Sequence, residues 1–153
     1  MSKYRFQLIE QIVRRSESKN WHEARFEWQL ETIEDSEDPE ECLCGQYPIN
    51  ELCWLRNRRN GNHALVGNVC VHKFMGIESH KLFDCLRKIQ KDDAKALNAE
   101  LIEYANGKHW INDWEHRFLL STVSKRSLTA KQMAKRRQIN QGLLNKTFQR
   151  RNR

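Results

Sequence analysis

Hydrophobic positions recur at helical spacing along most of the chain, and one interior stretch breaks that rhythm. Residues 3–14 set Leu8, Ile9, Ile12 and Val13 on one stripe, which predicts an amphipathic helix. A second helix is expected over about 21–33. Asn20 with Glu23 opens it, and Trp21, Ala24 and Trp28 share its face. The acidic run after it and Pro39 predict an end to the helix and an exposed linker. From Ser79 a long helix to about Ala105 offers Leu82, Phe83, Leu86, Ile89, Leu97, Leu101 and Tyr104 to a core, with Asn106-Gly107 as its stop. A shorter helix over 112–121 carries Trp114 and Phe118 at i, i+4. Thr129 with Gln132 then opens a last helix over 129–149, which docks through Met133, Leu143, Leu144 and Phe148.

Residues 42–76 behave differently. Cys42 to Ile49 is compact and contains Gly45 and Pro48. The segment LCWLRNRRNGNHALVGNVC then reads as two short strands around Asn60-Gly61, a dipeptide suited to a type I′ hairpin. The aromatic pairs Trp21 with Trp28 and Trp114 with Phe118 read as core anchors.

Charge is unevenly placed. The net charge is +7, with Lys and Arg totalling 27 against 20 Asp and Glu. Residues 31–41 carry seven acids and no base, whereas residues 121–153 carry ten bases and no acid. A smaller basic patch, Arg56, Arg58 and Arg59, crowds the hairpin turn. Basic clusters of this kind point to a polyanion, and nucleic acid, DNA or RNA, is the expected partner. Its contact residues are expected to be Trp54, Arg56, Arg58 and Arg59 on the hairpin. Lys125, Arg126, Lys131, Lys135, Arg136, Arg137 and Lys146 are expected to add contacts from the basic C-terminal region. No apolar run is long enough to cross a membrane, and MSKYRFQLIEQIVRR lacks the apolar core of a secretory signal, so a cytoplasmic location is expected.

In that compartment thiols stay reduced, and the odd total of five cysteines also argues against a disulfide framework. Cys42, Cys44, Cys53 and Cys70 are therefore read as ligands of a structural Zn2+. His63 and His72 are alternative ligands. Gly45 after Cys44 provides the backbone freedom that a turn around a metal needs. Cys85 falls on an amphipathic helix and reads as core.

Cys42-x-Cys44-Gly45, the hairpin and Cys70 at the start of a helix together resemble treble-clef-like zinc fingers. There a cysteine turn is completed by ligands from a hairpin and a helix start. The C-x-C-G element and the later V-G-N-x-C-V also resemble uncharacterised zinc-binding proteins of phages and mobile elements. The turn has one intervening residue where two are common and Cys53 sits on a strand, so the fourth ligand stays open. The fold class expected is α+β, mainly helical, with a small zinc-bound β-hairpin module embedded between helices. Its parts are an N-terminal helical segment (1–36), the zinc-binding hairpin module (37–78) and a helical region with the basic C-terminal helix (79–153), grouped in one compact domain.

No Walker loop, dinucleotide glycine fingerprint or H-E-x-x-H motif occurs, so the chain is read as non-catalytic. The primary expectation is a zinc-stabilised nucleic-acid-binding or regulatory protein. The alternative is a protein–protein adaptor or inhibitor acting on a host transcription, replication or defence complex. A zinc-dependent nuclease using His63 or His72 is a lesser alternative.

Overall fold

The computed structural model describes residues 2–147, so Phe148 lies outside the described residues. The protein is α+β and mainly helical, with one three-stranded antiparallel sheet of order β1-β2-β3. The chain forms two compact units that divide after Ser79.

The first unit begins with α1 (Lys3–Arg15), capped by the Ser2 side chain and buried through Leu8 and Ile12 one turn apart. After one turn of helix, α2 (Trp21–Ala24), and a 3-10 turn at Arg25–Glu27, the chain extends into β1 (Trp28–Glu40). The expected helix over 21–33 therefore ends early, and the acidic segment is strand rather than linker. An extra residue explains the difference. Leu30 pairs with Leu55 and Thr32 with Trp54, so Glu31 is a bulge that breaks the strand alternation. Trp28 and Ile33 still reach the core, at 1% and 2% exposure. The buried indole N–H of Trp28 donates to Ser16 Oγ at 2.8 Å, tying β1 to the end of α1.

β2 (Ile49–Asn57) is the central strand and pairs with β3 (His63–Val66) through Cys53–Val66, Trp54–Leu65, Leu55–Ala64 and Arg56–His63. The connection is not a two-residue type I′ turn. Asn57 N–H donates to the Asn62 carbonyl, Gly61 N–H donates back to the Asn57 carbonyl, and Gly61 alone takes positive φ, at +77°. Asn57 Oδ1 accepts from the Arg59 and Asn60 N–H groups, so a local side-chain turn replaces the primed turn. The amides of Asn60 and Asn62 both donate to the Arg15 carbonyl at 2.9 Å, satisfying a carbonyl at the open end of α1. The unit closes with α3 (Asn68–Met75), which ends at Gly76 in the left-handed region, and the Phe74 ring stacks on Trp21 at 5.3 Å.

The second unit contains α4 (Ser79–Lys91, whose first residue belongs to the first unit), α5 (Ala99–Gly107), α6 (Asp113–Thr122) and α7 (Ala130–Thr147). The single long helix expected from Ser79 to Ala105 is two. Asp92 accepts the Ala94 N–H, and Asn98 caps α5 by accepting the Leu101 N–H. Short polar side chains thus compete with the helical bonds across 92–98. Leu82, Phe83, Leu86, Ile89, Leu97 and Leu101 are buried as expected, and so is Cys85. Thr129 and Gln132 exchange the two hydrogen bonds of a capping box at the start of α7. No helix of the described residues is long and apolar enough to cross a membrane.

Candidate metal centre

Three of the four proposed cysteine ligands converge in the first unit. Cys42, Cys44 and Cys70 place their sulfurs within 4.8 Å of one another. Local chain geometry explains how. The Cys42–Gln46 turn is closed by Gly45 N–H to the Cys42 carbonyl at 2.8 Å and Cys42 N–H to the Gln46 carbonyl at 3.0 Å. Gly45 takes φ +96°, a conformation that favours glycine, and a Cβ there would lie 3.0 Å from the movable Gln7 carboxamide. Leu43 N–H donates to the Leu65 carbonyl, pinning the turn against β3. Cys70 arrives from the other side, on the first turn of α3 after its N-cap Gly67.

The donor set suits a soft cation. Backbone N–H groups of Gly67 and Gln46 point at Cys42 Sγ and Cys44 Sγ, both at 3.4 Å, as thiolate acceptors require. A hydrogen bond from the Cys70 thiol, aided by backbone N–H groups, brings Cys42 down to about 6 against the effect of its burial. Cys70 and Cys44 keep their own protons. Cys70 is pushed up mainly by its hydrogen bond to Cys42, and Cys44 is pushed up mainly by burial. Three thiols sharing fewer than three protons are poised to exchange the remainder for a metal ion. Tetrahedral thiolates at the usual zinc–sulfur length lie about 3.8 Å apart, a separation that falls inside the 4.8 Å within which these three sulfurs lie.

The other proposed ligands lie elsewhere. Cys53 is fully buried on β2, and its thiol approaches Asn68 Oδ1 at 3.7 Å. Asn68 Oδ1 also accepts from Ser79 Oγ at 2.6 Å, and its Nδ2 donates to Glu51. Burial pushes the Cys53 thiol up to about 11, so it stays a protonated donor in this network. His63 is exposed on β3, 3.0 Å from Glu31, and His72 is exposed on α3; neither belongs to the thiol cluster. Gln7 beside the Cys42–Gln46 turn and Asn68 beside Cys53 escape notice in the sequence because neither belongs to the thiol and imidazole spacing that marks a zinc site.

The basic residues divide into partnered and open groups. Arg56, Arg58 and Arg59 are exposed around the hairpin turn, and no guanidinium among them makes a hydrogen bond or ion pair with a described residue. Trp54 is half-buried in the sheet, and its indole N–H donates to Glu34 at 3.2 Å. In the second unit Lys125, Arg126 and Lys131 are exposed and unpaired among the described residues. Lys135 pairs with Glu115 at 3.1 Å, Arg137 with Asp93 at 3.5 Å, and Lys146 lies over the Trp110 ring. Arg136 departs most from expectation. It is 7% exposed and donates to the Ala94 and Thr122 carbonyls at 3.1 and 2.9 Å, so it holds the unit together rather than facing a partner. Trp114 departs in the opposite sense. Its ring is stacked on Phe118, but it is 53% exposed rather than a core anchor.

The chain matches no family model, no curated protein and no solved structure.

Proposed function

We propose that this protein is a non-catalytic, zinc-stabilised nucleic-acid-binding or regulatory protein of the cytoplasm. One observation carries the reading: the thiol cluster adjoins the β2–β3 hairpin whose turn displays the exposed side chains of Arg56, Arg58 and Arg59. A cation bound by Cys42, Cys44 and Cys70 would link the Cys42–Gln46 turn to α3 and so brace the hairpin between them. Zinc is the metal this reading favours, since it accepts thiolates in tetrahedral geometry without redox chemistry. This reading takes the order of turn, hairpin and helix start as resembling that of a treble-clef-like finger.

Charge separates the units in a manner that supports the same reading. Through Ser79 the chain has ten Lys and Arg against thirteen Asp and Glu, whereas residues 121–147 hold seven bases and no acid. The hairpin arginines with Lys125, Arg126 and Lys131 are the residues left to meet phosphates. A salt titration of DNA and RNA binding tests this. Binding should weaken steeply with salt, and replacing Arg56, Arg58 and Arg59 by Gln should flatten the slope. Weak, salt-insensitive association would contradict it.

An adaptor or inhibitor role is the second reading, favoured by the outer side of α1. There Phe6, at 63% exposure, forms an open apolar groove with Ile9, Val13 and Trp21. A protein partner bound tightly while nucleic acid is not would select this role.

A further inference from the structure

Phe118 and Leu119 of α6 are buried, but Trp114, one turn before Phe118 on the same helix, is 53% exposed. A large aromatic left outside the core calls for a use other than burial. Two contacts fix its position. The ring lies parallel to Phe118, with centroids 5.2 Å apart and planes 8° apart. The Lys135 ammonium stands 5.6 Å from the Trp114 ring centroid and is held there by Glu115 at 3.1 Å. Glu115 also accepts the Asn112 N–H in the capping box of α6, so helix cap, ion pair and ring position support one another.

Between α6 and α7 this ring borders an open groove of about 460 Å³, within the roughly 300–1,000 Å³ of small-ligand sites. Trp114, Phe118 and Ala134 supply mostly apolar walls, and Lys131, Lys135 and Gln138 line it from α7. None of the lining residues is acidic, and residues 121–147 hold seven bases and no acid. An aromatic surface rimmed by ammonium groups suits a flat ring attached to an anion. A nucleobase with its phosphate has that chemistry, because every base offers a π-face whatever the sequence. In a duplex those faces are covered by neighbouring bases, so an unpaired strand is what can present one.

We infer that Trp114 is a base-stacking platform and that the α6–α7 groove takes a base of single-stranded DNA or RNA. Lys135 keeps its pairing with Glu115 and forms the wall, while Lys131, exposed one turn earlier on α7, meets a neighbouring phosphate. The inference rests on the nucleic-acid reading above and adds to it a site in the second unit and a preference for single strands.

The test is fluorescence anisotropy of the full chain with labelled oligo-dT and oligo-rU, an abasic strand of the same length and a duplex. At least one base-bearing strand should bind about five-fold or more tightly than the abasic strand, the low end for one stacked base. Trp114→Ala should lose that factor while duplex binding, abasic binding and the salt slope stay unmoved, and Trp114→Phe should keep most of it. In wild type the Trp114 indole resonance should shift with the base-bearing strand and not with the abasic one, a readout that requires no variant to fold. Equal binding of base-bearing and abasic strands, or a base preference that survives Trp114→Ala, overturns the platform and leaves the nucleic-acid reading standing. A proline-rich peptide that shifts the Trp114 indole where neither oligonucleotide does assigns the groove to a protein partner and also overturns it. A chain that binds no nucleic acid overturns both.

Discussion

The side-chain amide of Asn57 donates to the Glu27 carboxylate at 2.9 Å, joining the last residue of β2 to the turn that leads into β1. Both residues are buried, and Glu27 also accepts the N–H groups of Glu17 and Ser18 at 2.8 and 2.9 Å. One carboxylate thus anchors the loop after α1, the start of β1 and the base of the arginine-bearing hairpin. Burial alone would raise its pKa. The hydrogen bonds from Asn57, Ser18 and Glu17, with the Arg59 charge, outweigh burial and hold it below the ordinary carboxylate value.

Because the folded value is lowered, the ionised Glu27 stabilises the fold at neutral pH. That contribution is present above the unfolded value and is lost as pH falls through the folded one. Glu27→Ala should cost on the order of 3 kcal/mol at pH 7, since it strands buried donors. The cost should shrink as pH falls through the lowered folded value, where wild type loses the same charge. Urea unfolding of both proteins across pH checks the size and its direction.

Metal should stabilise the first unit. A zinc concentration a thousandfold above the dissociation constant should add about 4 kcal/mol, and a chelator should remove it. Thermal melts of wild type and Cys70→Ser, with and without zinc, are the check. Cys70→Ser should not respond.

Arg136 and Lys131 lie on one helix and should behave oppositely. Arg136→Ala removes two hydrogen bonds to carbonyls and should destabilise the second unit by about 2–3 kcal/mol. Lys131→Ala should change stability by less than about 0.5 kcal/mol, yet lower the salt slope of nucleic-acid binding by about one. Melts and salt titrations on both variants separate the roles.

The hairpin module shows where sequence is informative. Cysteine spacing and the glycine after Cys44 point to four cysteines, of which Cys42, Cys44 and Cys70 come together. Cys53 has the same chemistry, but its partner depends on which face of β2 meets which neighbour, a nonlocal matter that spacing does not encode. β1 was hidden because Glu31 bulges out and disturbs the period of two, and because its acids imitate a linker. The basic stretch of α7 showed its charge without its burial. Arg136 looks like its neighbours in sequence and differs only in the carbonyls that face it.

The most direct test of the central claim is the metal content of the full chain purified without chelator, measured by elemental mass spectrometry on wild type and Cys70→Ser. The account predicts about one zinc per wild-type chain and its loss in Cys70→Ser. A wild-type protein that is folded and carries no stoichiometric metal would contradict it.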